Sequence, residues 1–203
     1  MSQIALPLRR PGSIAARRIV IGAANAHVAE ALTATQTWPY RTAVLTGPAR
    51  SGKSLLARWF AERGLGAAID DGPSLDEAAL FHSWNRAQED GTALLIVGGE
   101  PPWRITLPDL ASRLGAALQL EIGPPDDDMA AQLVLALAEE RGLPLGPDAA
   151  DYLVPRAPRS FALIERLVAE IDRLSLERKV PATLSVWRAA LEAVVGPDEP
   201  RLL

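Results

Sequence analysis

The sequence contains no cysteine, so disulfide bonds and thiol chemistry are excluded. No apolar run approaches the ~20 residues that cross a bilayer, and the apolar stretch near the N-terminus is too short for a secretory signal. The net charge of −4 lacks the basic excess that is typical of a DNA-binding domain. We therefore expect a cytoplasmic protein without membrane contact that reaches nucleic acid only locally or through a partner.

Lysine is scarce, because Lys53 and Lys179 are the only lysines among 21 basic residues. Lys53 lies in GPARSGKS, which fits G-x-x-x-x-G-K-[ST], the phosphate-binding P-loop. Its glycines let backbone N–H groups point at phosphate, and the next helix directs the positive end of its dipole there. Lysine reaches the terminal phosphates, and the serine hydroxyl binds Mg²⁺. We expect ATP or ADP to contact eight residues: Gly47, Pro48, Ala49, Arg50, Ser51, Gly52, Lys53 and Ser54.

The segments around this loop have the order that a P-loop requires. Residues 42–46 form a short apolar run typical of a buried strand, and residues 53–63 carry a helical apolar stripe closed by Gly64. The alternative interpretation is a glycine-rich turn that binds nothing. We favour nucleotide binding.

Two adjacent acids follow the next apolar run, in GLGAAIDDG. At a strand tip, Asp70 would hold Mg²⁺ together with the nucleotide and Ser54, and Asp71 would polarise an attacking water as a catalytic residue. The sequence DDGPS is also strong turn chemistry. Both interpretations stay open.

The rest of the chain predicts an α/β segment followed by a helical one. A capping box at Ser74–Glu77 predicts a helix start, and residues 92–97 (TALLIV) predict a buried strand. After Gly123 all patterns are helical. We predict an α/β P-loop base with a parallel sheet and a small all-helical lid: a tail at 1–18, the base at 19–122, the lid at 123–195 and a tail at 196–203.

Five stretches carry a resemblance to a known family: IVIGAANAHVAEAL, GPARSGKSLLA, IDDGPSLDEAALFHSWNRAQEDG, GGEPPWRITLPDLASRL and APRSFALIERLVAEID. Together with the base-and-lid order, they resemble the AAA+ ATPases of the DnaA replication-initiator family. The resemblance is closer to the short regulators of the Hda (HdaA) type. It implies a regulator that promotes ATP hydrolysis by DnaA and so prevents over-initiation of replication.

The resemblance also implies roles for single residues. Arg113 would be a catalytic arginine finger acting in trans on a neighbouring protomer, Arg159 would contact phosphate in cis, and Asn25 would lie by the adenine. The N-terminal peptide Q-x-x-L-x-L resembles the family's sliding-clamp motif, although it could also pack on its own domain. Its clamp-binding residues would be Gln3, Leu6 and Leu8. The implied partners are DnaA and the DNA polymerase sliding clamp, with a homo-oligomer possible.

The sequence departs from the family pattern in three ways. Only 16 residues, 54–69, separate Lys53 from Asp70, which predicts a trimmed base. Gly98 and Gly99 stand where the family has a polar sensor, and the P-loop contains Arg50, for which the sequence gives no physical reason. Separately, no helix-turn-helix follows the lid, so we expect no direct recognition of a replication origin. The first two departures weaken the expectation that this chain hydrolyses ATP itself. Two other functions stay open: an ATP-driven remodeller such as a helicase loader, and an ADP-bound adaptor without hydrolysis.

Overall fold

The apolar run after Arg41 forms the centre of a parallel sheet. The computed structural model of the chain describes residues 18–196. The strands of its sheet are β1 (Thr42–Thr46), β2 (Ala67–Ile69), β3 (Leu94–Val97) and β4 (Leu118–Glu121). They lie in the order β2-β3-β1-β4, and all three strand pairs are parallel. The strands β1 and β3 are almost wholly buried, as continuous apolar strands covered by helices should be.

Helices connect successive strands, since parallel strands need a crossover. The base contains α1 (Ala26–Thr33), α2 (Lys53–Glu62), α3 (Glu77–Glu89) and α4 (Pro108–Gly115). Only residues 63–66 separate α2 from β2, so no further strand and helix lie between Lys53 and the acids. The predicted α/β base with a trimmed parallel sheet is confirmed.

The sheet register fixes where the functional loops meet. Val44 of β1 pairs with Ile96 of β3 on one side and with Gln119 of β4 on the other, and Ile96 also pairs with Ile69 of β2. The carboxyl ends of all four strands therefore share one edge of the sheet. In open α/β sheets this edge is where ligands bind.

One core cluster joins the sheet to α3 and α4. Its buried members are Val44, Leu80, Trp84, Ala87, Leu94, Ile96, Leu110, Leu114 and Ala117. Elsewhere in the base, the ring of Trp38 stacks on that of Phe60 at 5.5 Å between centroids. The core cluster fixes α3 and α4 against the sheet, and the Trp38–Phe60 stack involves α2.

The start of α3 differs from the predicted capping box. Ser74 lies in a short 3₁₀ turn and donates its hydroxyl to the carbonyl of Asp71. The N-cap is Asp76, whose carboxylate accepts from the backbone N–H of Ala79 at 3.0 Å. The carboxylate of Glu77 does not reach back to the helix start, because it binds the N-terminus of α4 instead. The capping-box prediction was therefore wrong by two residues.

A second compact unit consists of residues 18–23 and 124–196, whereas the first spans Ala24–Gly123. It contains α5 (Asp127–Glu140), α6 (Pro147–Leu153), α7 (Phe161–Arg178) and α8 (Leu184–Val195). Asp126 caps α5 by accepting from the N–H of Met129 at 2.7 Å. Across the described part of the chain, every helix is too short or too polar to cross a membrane.

Candidate phosphate site and arginine finger

The loop between β1 and α2 has a backbone that requires its two glycines. Gly52 precedes α2 with φ +91°, which lies in the left-handed region that glycine adopts without strain. Gly47 has φ +147°, and a Cβ there would lie 2.9 Å from both the Cβ and the carbonyl oxygen of Ile122. The P-loop therefore folds as a tight turn against the end of β4.

Lys53 folds back into this turn. Its ammonium donates to the carbonyls of Gly47 and Pro48, at 2.8 Å each. Burial lowers the pKa of Lys53, and the carboxylates of Glu100 and Asp70 oppose that shift by favouring the charged form. The only lysine of the base is thus a partly buried cation whose ammonium contacts the first two residues of the P-loop.

Ser51 provides a separate sign that the loop fits a polar ligand. The residue is only 5% exposed, and its Oγ has no hydrogen-bond partner within residues 18–196. A buried hydroxyl without a partner costs free energy, so such groups are uncommon in folded proteins. A nucleotide phosphate at the loop fits this orphaned donor.

The two acids that follow β2 lie in different settings. Asp70 comes directly after the strand and accepts from the hydroxyl of Ser54 at 3.0 Å. Asp71 has φ +53° and begins the 3₁₀ turn, with its backbone N–H bound to the Asp70 carboxylate. The segment is therefore a strand tip followed by a turn, and the roles of Asp70 with Mg²⁺ and of Asp71 in catalysis stay predictions.

The Ser54–Asp70 pair supplies two of the oxygen ligands that Mg²⁺ prefers. Within the part of the chain that the structure describes, no group of three or more acidic or histidine side chains could bind a metal by itself. Mg²⁺ would therefore depend on phosphate oxygens for its remaining ligands. This arrangement agrees with a nucleotide-borne cation.

Glu100 is a site residue that the sequence analysis did not single out. Its carboxylate accepts from the backbone N–H of Ala49 in the P-loop at 3.1 Å. The preceding loop is attached to the same place, since the N–H of Gly47 donates to the carbonyl of Gly99 at 3.4 Å. The signal was present in the sequence: Glu100 is an acid three residues beyond the end of a buried strand, at the edge of the sheet where ligands bind.

Arg113 lies on α4, and its contacts are with side chains of α3. The carbon at the centre of its guanidinium lies 4.3 Å from the ring centroid of Trp84 and 4.7 Å from that of Phe81. One N–H donates to the side-chain oxygen of Asn85 at 3.0 Å. Among the described residues its other N–H groups have no acceptor, so they could fork a phosphate.

Arg159 belongs to the helical unit and forms a two-pronged ion pair. Its two terminal nitrogens lie 2.6 Å and 3.0 Å from the carboxylate oxygens of Asp127, at the start of α5. Both side chains are more than half exposed, so solvent screens the pair. The pair uses two of the five N–H donors of Arg159, and a phosphate would compete with Asp127 for this cation.

The structure describes two of the remaining predicted site residues, Asn25 and Arg50. Asn25 is buried, and its carbonyl accepts from Ala29 at the start of α1. Arg50 adopts φ +64° in the P-loop. The predicted clamp-binding residues Gln3, Leu6 and Leu8 lie outside the described residues. The base thus brings together Lys53, Ser54 and Asp70, and it places Arg113 elsewhere on the same unit.

No protein-family model matches the sequence. Among solved structures, domain III of the Thermotoga maritima replication initiation protein DnaA is similar to this chain, with a TM-score of 0.69 and 14% identity. The match covers 87% of this chain and 95% of that domain. A second DnaA structure, bound to AMPPCP and single-stranded DNA, gives a TM-score of 0.58 at 18% identity, over 78% of this chain and 65% of that one.

The Thermotoga maritima RuvB Holliday junction branch migration motor is also similar, with a TM-score of 0.61 and 17% identity. That match covers 88% of this chain and 73% of the motor. Such low identities define the fold alone. The chain has the AAA+ fold, in the form that DnaA domain III takes.

Proposed function

We propose that this chain is an adenine-nucleotide-binding AAA+ protein that regulates replication initiation, in the manner of the Hda-type members of the DnaA family. It binds ATP or ADP with Mg²⁺ at the P-loop. Held on the DNA-loaded sliding clamp, it packs against ATP-bound DnaA and promotes hydrolysis of that ATP. Its own turnover is not required for this role.

One observation carries the proposal: a chain with the fold of DnaA domain III combines a P-loop fitted for phosphate with an arginine held on a separate helix. Lys53, Ser54 and Asp70 supply the cation, hydroxyl and carboxylate of a nucleotide site. The second DnaA structure binds the ATP analogue AMPPCP, which supports the same ligand class here.

In the proposed reaction Arg113 serves the partner's nucleotide. A guanidinium aimed at the γ-phosphate stabilises the charge that develops during phosphoryl transfer, and such fingers raise rates by about 10³–10⁵. The rings of Trp84 and Phe81 lie 4.3 Å and 4.7 Å from the guanidinium carbon of Arg113, and apart from the N–H that binds Asn85 its N–H groups have no acceptor among residues 18–196. In this proposal, the contacts with α3 hold the guanidinium ready for the partner's phosphate.

The test is the release of phosphate, as bound ATP is converted to ADP, from ATP-bound DnaA mixed with this chain, the clamp and DNA. Arg113→Ala should lower the stimulated rate by about 100-fold or more. Arg113→Lys keeps a cation but not the planar fork, so it should recover only part of the rate. Arg86→Ala on α3 removes an exposed arginine as the matched control and should stimulate normally. Equal stimulation by Arg113→Ala and the wild type would disprove the finger.

Clamp binding needs a separate test, because its residues lie in the N-terminal tail. Immobilised clamp should retain the wild-type chain and release the variants Gln3→Ala and Leu6→Ala. Leu6 would bury apolar area in the clamp's pocket, whereas Gln3 would make a hydrogen bond at its rim, so Leu6→Ala should be the weaker binder. If the clamp retained both variants as well as the wild type, this peptide would not be the clamp contact.

A further inference from the structure

The loop that carries Glu100 has little freedom to move away from the P-loop. The N–H of Gly98 donates to the carbonyl of Leu45 in β1 at 2.8 Å. A Cβ on Gly98 would lie 3.0 Å from the ring of Trp103 and 3.1 Å from Thr46, so glycine is needed for this packing. Glu100 therefore projects from a backbone that is fixed beside the phosphate loop.

The Glu100 carboxylate uses a donor that the P-loop would otherwise offer to an anion. The donor is the backbone N–H of Ala49, at 3.1 Å from Oε1. Among the charges that act on Lys53, Glu100 has a larger effect than Asp70. The carboxylate thus contacts the loop much as a phosphate oxygen would, and it adds negative charge at the same place.

We propose that Glu100 competes with the terminal phosphate of a bound nucleotide, so that the site favours a nucleoside diphosphate over the triphosphate. The inference rests on the proposed nucleotide binding and adds a preference between its two ligands. Glu100 acts here as a residue that determines specificity.

The position of Lys53 indicates which phosphate is affected. A P-loop lysine reaches the terminal phosphates, and this ammonium lies on the carbonyls of Gly47 and Pro48, directly before Ala49. The Glu100 carboxylate therefore lies at the end of the loop that would receive the last phosphate. Each added phosphate brings more negative charge toward this carboxylate, whose loop is hydrogen-bonded to β1 and to the P-loop, so the triphosphate meets the larger repulsion.

Isothermal titration calorimetry with ADP and with AMPPCP, which resists hydrolysis, tests the proposal. The proteins are the full chain, Glu100→Gln, and Glu62→Gln as a matched control at the far end of α2. Glutamine keeps an acceptor for the Ala49 N–H and removes only the charge. Each titration is run in EDTA and again with Mg²⁺, and thermal melts without nucleotide show that all three proteins fold alike.

The wild type should bind ADP more tightly than AMPPCP. Glu100→Gln should shift the ratio of the two affinities toward AMPPCP by about tenfold in EDTA, and by less with Mg²⁺, since the cation screens the phosphates. Glu62→Gln should match the wild type.

Two results would overturn the proposal while leaving nucleotide binding intact. One is an unchanged affinity ratio in Glu100→Gln. The other is weaker AMPPCP binding by Glu100→Gln only when Mg²⁺ is present, which would make Glu100 a ligand of the cation. If neither ligand gave heat with the wild type or with Glu100→Gln, nucleotide binding itself would be wrong and this inference would fall with it.

Discussion

Lys53 and Arg113 are two cations of the same AAA+ base, and the protein holds them in different ways. Lys53 donates to two carbonyls of its own loop and lies near carboxylates, and an incoming phosphate could replace all of these contacts. Arg113 packs on two aromatic rings and one amide that belong to α3. Changes at the P-loop should therefore alter ligand affinity, whereas changes around Arg113 should alter helix packing and the partner's reaction rate.

The largest predicted effect is that of Lys53→Ala, which changes the P-loop and leaves the surroundings of Arg113 intact. Removing the ammonium should weaken ADP and ATP binding by about 100-fold or more, since each loses a charge-assisted contact to phosphate. The melting temperature without nucleotide should stay the same or rise slightly, because burial disfavours this cation in the folded protein. Calorimetry and thermal melts measure the two quantities.

Arg58→Ala is the control for this experiment, because Arg58 is an exposed cation on the same helix. It should leave both affinities unchanged. If Lys53→Ala lowered the melting temperature strongly and left the affinity for nucleotide intact, Lys53 would stabilise the fold and not bind phosphate. Lys53 and Arg113 would then no longer differ in the property that their substitution changes.

A smaller effect is expected from Asn85→Ala, which changes the surroundings of Arg113. Asn85 positions Arg113 through one hydrogen bond, so its loss should reduce stimulation of DnaA by about tenfold. The substitution should lower the free energy of unfolding by about 1 kcal/mol, the usual contribution of one hydrogen bond. Two quantities are measured: the maximal stimulated rate of ATP hydrolysis by DnaA, and the concentration of this protein that gives half of that rate.

Asn85→Asp tests whether Asn85 acts by positioning Arg113 or only by stabilising α3, because aspartate keeps the oxygen that accepts from Arg113. It should recover most of the stimulated rate. A loss of the maximal rate at an unchanged half-saturating concentration would support positioning. If Asn85→Ala changed only the half-saturating concentration, Asn85 would serve the interface with DnaA rather than the orientation of Arg113.

The two regions also differ in how far the sequence predicts them. The P-loop is a continuous motif whose glycines have local backbone reasons, so its residues and the flanking β1 and α2 could be identified directly. The trimmed base followed from the 16 residues between Lys53 and Asp70. The parallel sheet followed from apolar strands that alternate with helices.

The contacts that could not be predicted join residues far apart in the chain. Glu100 meets Ala49 across 51 positions, and Arg113 meets Asn85 across 28. Such pairs depend on the order of the strands and on how α4 packs on α3, and no local pattern encodes either. The Ser74 prediction was wrong for the same reason, since a capping box requires Glu77 to turn back on its own helix and here a neighbouring helix takes that carboxylate.

The smallest predicted effect concerns the link that holds α4, which carries Arg113, to α3. The carboxylate of Glu77 accepts from the N–H and the hydroxyl of Thr106 and from the N–H of Leu107, at 2.6 Å to 3.1 Å. These hydrogen bonds favour the ionised form and lower the pKa of Glu77 below its usual value of 4.5. A lowered pKa in the folded state means that the ionised carboxylate stabilises the fold above pH 4.5.

Glu77→Gln should therefore lower the melting temperature at neutral pH, by no more than a few degrees because the group is solvated. The difference from the wild type should stay constant down to about pH 5, then shrink and vanish as the pH falls through the folded-state pKa of Glu77. Glu89→Gln, at the opposite end of α3, is the control and should show no such convergence. If the gap between Glu77→Gln and the wild type persisted at pH 3, the loss would come from packing and not from the charge. The charge of Glu77 would then contribute nothing to the link between α3 and the helix that carries Arg113.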